Sequence, residues 1–179
     1  MDASPSDIQF LEARYRKARN KYKPRQVKTL FIAEGPPNSL DRHFYFEDVK
    51  QHDSLFLEIM GILYPEQKQR YLSSRRDTIL KTELLESFQE DGYWLMHLSE
   101  IPCNLNAPLP TLVPSLLLRL QKEIDKETPI ILIKSSLYDL CYKLLVLQGY
   151  KVSNERIPFP GSGQQGVFRE KVRKALASF

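Results

Sequence analysis

The chain of 179 residues holds only two cysteines, Cys103 and Cys141. That excludes a disulfide framework, a four-thiolate zinc site and a self-contained iron–sulfur cluster. Long hydrophobic runs are lacking too, and none approaches the roughly 18 to 20 apolar residues that span a bilayer. Met1-Asp2-Ala3-Ser4-Pro5 has neither the basic nor the apolar region of a secretory signal. There is no Gly-x-x-x-x-Gly-Lys-Ser/Thr phosphate loop, no Gly-x-Gly-x-x-Gly and no Gly-x-Ser-x-Gly elbow. His43 and His52 have no metal-ligand partner at helical spacing. The expectation is a reduced, cytoplasmic, monomeric protein that uses no metal or organic cofactor and touches no membrane.

What is present suits an ordinary globular domain, with 42% hydrophobic and 27% charged residues. The length allows one sizeable core. Charge is unevenly placed: residues 1–28 carry eight Lys/Arg against three Asp/Glu, whereas the remainder is close to neutral. Such a segment fits contact with a polyanion, and equally a solvated basic face. Arg70, Arg75 and Arg76 form a second basic cluster.

Ser4-Pro5-Ser6-Asp7 reads as a helix start. Ile8, Leu11, Tyr15, Ala18 and Tyr22 then recur on one face, with Arg14, Arg16, Lys17, Arg19 and Lys21 on the others, until Pro24. Residues 1–26 are thus expected to form a basic helix packed on a single domain of residues 27–179. Buried strands are expected at 27–34, 93–98 and 129–133, and a fourth strand region at 150–157. Helices are expected at 56–63, 78–88, 113–126, 136–147 and 168–179. Strands separated by helices imply a three-layer α/β/α sandwich with a central parallel four-stranded sheet. In such sheets the site lies beyond the carboxyl ends of the strands. That nominates 34–37, 97–100, 134–136 and 158–163.

Those loops carry short motifs. Ala33-Glu34-Gly35-Pro36-Pro37 follows the first strand, with the aromatic cluster His43-Phe44-Tyr45-Phe46 after it. The second strand ends at His97, the third at Lys134-Ser135-Ser136, and Ile157-Pro158-Phe159-Pro160 precedes Gly161-Ser162-Gly163-Gln164. In this order the chain resembles the uracil-DNA glycosylase superfamily. The resemblance implies that fold, DNA as partner, and hydrolysis of the N-glycosidic bond of a damaged or deaminated base. It implies Gly35, Pro36, Phe44 and Phe46 around an extruded base, with an aromatic stacked on it, and His97 where the base-edge reader stands. Ser135, Pro158, Pro160, Gly161, Ser162, Gly163 and Gln164 would lie against nucleic acid. The pattern departs in two places: Ile157 stands where the family has a histidine, and Gly35 where the best-known branch has an acidic residue.

Cleaving the bond between sugar and base builds positive charge on the sugar and negative charge on the base. A carboxylate can face the first and orient water, and a hydrogen-bond donor must stabilise the second. Glu34 is the first candidate carboxylate, Glu100 the second, and His97 the candidate donor. Glu34 could instead cap a helix or pair with a lysine, and Ser135 and Ser136 could cap the helix that follows. Gly161-Ser162-Gly163 offers backbone N–H groups for phosphate. The alternative function is a module that binds a nucleobase or nucleic acid without glycosylase activity, favoured by Ile157 and Gly35.

Overall fold

The computed structural model describes residues 4–161 and 163–179. Its described residues form a mixed α/β fold with a parallel sheet of three strands, β1 (Thr29–Ala33), β2 (Tyr93–His97) and β3 (Ile130–Leu132), in the order β2-β1-β3. Around it stand seven helices: α1 (Pro5–Lys21), α2 (Ser54–Leu63), α3 (Pro65–Ser73), α4 (Thr78–Glu90), α5 (Leu109–Glu123), α6 (Ser135–Leu147) and α7 (Gln165–Ala177). No helix among the described residues is long and apolar enough to cross a membrane.

The strands form because their aliphatic and aromatic runs are covered on both faces. Leu30, Phe31 and Ile32 in β1, Trp94, Leu95 and Met96 in β2, and Ile130, Ile131 and Leu132 in β3 are all fully buried. Successive side chains point to opposite faces, so burial of every one requires packing on each side of the sheet. Gly92, at φ 85°, makes the turn into β2, where its missing Cβ also leaves room for the Lys28 side chain.

The expected fourth strand is not continuous. Val152 and Ile157 make isolated parallel bridges to Ile130 and Ile133. Three residue steps on β3 are thus matched by five on its neighbour. The two extra residues bulge the polar stretch Asn154-Glu155-Arg156 out of register and interrupt the ladder. The opposite edge is closed by a side chain. The buried Tyr45 hydroxyl accepts from the Leu95 N–H at 2.6 Å and donates to the Leu95 carbonyl at 3.1 Å, so the outer edge of β2 is satisfied there without another strand.

Helix α3 was not expected from the sequence, and α5 starts earlier than its periodicity suggests. Proline at the first turn is compatible with a helix, so Pro65 opens α3 rather than merely ending α2, and α5 begins at Leu109 with Pro110 in its first turn. Helix α1 has the expected Ser4 cap, and Asp7 completes it as a capping box. It buries Leu11 and Tyr15, with Tyr22 buried just past its end, but Arg19 is buried with them rather than projecting outward. Arg19 bonds Glu100 at 3.0 Å, and its carbonyl accepts from the Trp94 indole. Lys21 pairs with Glu47 and Lys23 with Glu123, so part of the basic excess of this segment is spent inside the molecule. Arg16, Lys17, Arg25 and Lys28 stay exposed.

Helix α4 buries a charge. Lys81 is fully enclosed, with Nζ 4.4 Å from the Phe56 ring centroid and no hydrogen-bond acceptor. Burial pushes its pKa down to about 8, against the opposing pull of Asp53 and Glu47. Desolvation therefore outweighs attraction, and Lys81→Met is expected to raise the unfolding free energy at pH 7 by about 1–3 kcal/mol. The unfolded chain holds this proton up to the ordinary lysine range and the folded chain does not, so wild-type stability gains from this group as pH rises above about 8. Urea denaturation from pH 7 to 10 checks both effects, and the gain should vanish in the variant.

Candidate functional site

Strand β1 leads toward β2 on one side, while β3 leads to the 150–157 segment on the other, so a crevice opens beyond their carboxyl ends. A cleft of about 620 Å³ lies there, within the range of roughly 300–1,000 Å³ usual for small-ligand sites. Its lining brings together Glu34, Gly35 and Pro36 after β1, His97 at the end of β2, Lys134 after β3, Phe44, and Phe159 from the loop before α7.

Glu34 is firmly held. Lys134 Nζ donates to Oε1 at 2.5 Å and Ser136 Oγ to Oε2 at 2.9 Å, so both carboxylate oxygens are engaged. The parallel register aligns Leu30, Phe31 and Ile32 with Ile130, Ile131 and Leu132, and continues to set Glu34 beside Lys134. Lys134 adopts φ 89°, in a region that costs a non-glycine residue about 1–3 kcal/mol and recurs at functional sites. Gly35 has a steric reason. A Cβ there would stand 2.7 Å from Cys103 Sγ and 3.4 Å from Ser99 Cβ, so an acidic side chain does not fit without displacing the thiol. Burial, and the neighbouring Glu34 after it, push the Cys103 pKa up, so the thiol is held protonated.

His97 is buried and neutral: burial, reinforced by Arg19 and Arg119, lowers its pKa to about 3. Arg119 donates to the carbonyls of His97 and Leu98, each at 2.9 Å, and so fixes the chain leaving β2. The His97 ring lies 5.6 Å from that of His43, itself stacked on Tyr15 at 4.7 Å. Burial above all, with the positive charges of Lys81, Arg19 and Arg14 adding to it, keeps His43 neutral as well.

Of the nominated aromatics, Phe44 reaches the cleft while packing edge-on against Phe56. Phe46 instead turns to α1, tilted against Tyr15 with the Arg14 guanidinium 4.5 Å above its ring. Tyr45 closes the sheet edge. Glu100 is taken by Arg19 and lies 3.9 Å from Arg119, outside the cleft lining. Ser135 opens α6 half-buried, beside the lining rather than in it. In the C-terminal loop Pro158 is half-buried and Pro160 buried, Gly161 lies under the Phe159 ring, and Gly163 and Gln164 are exposed. None of these belongs to the cleft lining. Ser162 lies outside the described residues. Ile157 is wholly buried at its bridge to Ile133, so it brings no polar group to the cleft.

Sequence reasoning missed Lys134 and Phe159 as individual residues, although both lie in nominated loops. It missed Arg42 and Asp53 altogether. Arg42 donates to the His52 carbonyl at 2.9 Å, and Asp53 caps α2 through the Phe56 N–H. The signal for Asp53 was present, since Asp53-Ser54 precedes an apolar run at a helix start.

An acid sensitivity follows from the two histidines. His97 binds a proton in the unfolded chain near pH 6.5 and in the folded one only near pH 3, so its contribution is complete above about pH 6.5 and is lost as pH falls. That histidine alone is expected to cost about 2 kcal/mol of stability between pH 7 and 5, and His43 acts in the same direction. Urea midpoints at the two pH values measure it, and His97→Gln should flatten the difference.

Comparison with protein-family models, with curated proteins and with solved structures found no match, so the likeness to uracil-DNA glycosylases rests on the residues of this chain.

Proposed function

We propose that the cleft receives a base extruded from DNA and that the protein hydrolyses its N-glycosidic bond, on a uracil-DNA glycosylase-like three-layer scaffold. The supporting observation is that Glu34 and Phe44 from the segment after β1, His97 from the end of β2 and Phe159 from the loop before α7 line one cleft. An extruded base needs an aromatic surface and an edge-reading group, and bond cleavage needs a carboxylate on the sugar side. Phe44 and Phe159 supply the surface, and neutral His97 can donate or accept at the base edge. Glu34 orients water and faces the positive charge that builds on the sugar. With Ile157 in the core, the departing base must be stabilised by other cleft donors, among which Arg42 and Lys134 are cationic.

A second reading is favoured by one observation: both oxygens of Glu34 are already engaged. A module that recognises a base or a nucleic-acid strand without cutting it needs the same pocket and no free carboxylate.

Labelled oligonucleotides containing uracil, hypoxanthine, xanthine or a mismatch distinguish the two. Under the first reading one substrate shows alkali-dependent strand scission, and Glu34→Gln slows single-turnover cleavage by about 100-fold or more. Retention that weakens between about 50 and 200 mM salt, with no scission, supports the second. Neither scission nor salt-sensitive retention sinks both.

A further inference from the structure

Within the reading of the cleft as a nucleotide site, the Glu34–Lys134 pair has a consequence beyond holding two strand ends together. A carboxylate bonded to an ammonium at 2.5 Å and a hydroxyl at 2.9 Å has its charge compensated and keeps only one further acceptor site on each oxygen, so it is a weaker base toward a water molecule than a free carboxylate. The two partners are unequally placed: the Lys134 side chain is 41% exposed and that of Glu34 only 17%. Of the pair, the lysine is therefore the partner more open to a ligand in the cleft. The anionic part of a nucleotide is its phosphate, and a lysine serves phosphate as a mobile point charge, free of the planar geometry an arginine imposes.

We infer that Lys134 is the phosphate contact of the cleft and that, in exchanging Glu34 for phosphate, it releases the carboxylate to act. The ammonium passes from one anion to another and is never left unpaired, which keeps the exchange inexpensive in a half-exposed setting. Ser136, on the first turn of α6, keeps its bond to Oε2, so Glu34 stays in position while Oε1 becomes free. The backbone of Lys134, at φ 89°, sits where β3 passes into α6, and its side chain spans the crevice from there to reach Glu34. Lys134 is thus a positioning residue that couples substrate binding to the state of Glu34.

The test is an affinity measurement that needs no cleavage. A fluorescent oligonucleotide carrying a tetrahydrofuran residue has no base to lose, and inorganic phosphate is the small probe. If Glu34 competes with phosphate for Lys134, Glu34→Gln binds both probes about fivefold tighter, the worth of a half-exposed ion pair. Lys134→Gln binds them more weakly, and Lys134→Arg, which keeps the charge, retains binding and shows that the loss is not misfolding. In the Lys134→Gln background, Glu34→Gln should add nothing. Free deoxyuridine, which carries no phosphate, should show no gain in Glu34→Gln. The inference is overturned if Glu34→Gln leaves the affinity unchanged or lowers it, or if its gain persists without Lys134, which would be simple charge repulsion. It is overturned equally if the wild type binds neither probe. Absence of scission in the oligonucleotide assay, by contrast, defeats hydrolysis while leaving these affinities readable.

Discussion

The parallel register between β1 and β3 is the constraint from which the site follows. Once Ile32 is aligned with Leu132, the residues two places beyond are Glu34 and Lys134, and their opposite charges meet across the crevice. A shift of one residue would reverse the faces of β3 and break the pair. The register is secured by burial on both faces and by the Ile133 N–H bonding the Ile32 carbonyl at 2.8 Å. The carboxylate is therefore placed by the apolar strands below it, with little help from the loop that carries it.

Behind the cleft the interior holds an unusual number of titratable groups. His43, His97, Lys81 and Arg19 are buried around β2 and the aromatic cluster. Burial holds the histidines neutral, whereas Lys81 stays largely charged at neutral pH with no hydrogen-bond partner. Only Arg19 has a close carboxylate, Glu100. The interior behind the cleft is thus not electrostatically optimal, a pattern that recurs where binding or catalysis sets the residue choice.

Much of the architecture was legible in the amino-acid pattern. The runs around Leu30, Leu95 and Ile131 read as strands because an unbroken apolar stretch suits a sheet covered on both faces. The amphipathic helices and the capped start of α1 were equally plain. The departures have local causes. Pro65 reads as a stop, yet proline is as acceptable at a helix start, and α3 was lost for that reason. The 150–157 segment has strand-like ends, but its two extra residues prevent a ladder, which depends on spacing relative to β3 and not on composition. Arg19 looks like one more surface cation of α1, and only the position of Glu100 draws it inside.

The order of residues alone determined most of the segments that become strands and helices, where the carboxyl ends of the three strands fall, and hence that Glu34 and His97 belong to one end of the sheet. Periodicity and local backbone chemistry are enough for that, because each segment carries its own signal. The tertiary structure decided the rest: that Phe44 lines the cleft while Phe46 turns to α1, that Tyr45 closes the edge of β2, that Cys103 occupies the space above Gly35, and that Lys134 takes both oxygens of Glu34 in concert with Ser136. These are choices among partners distant in sequence. They are settled by strand order, register and the volume left between packed elements, none of which any single segment encodes.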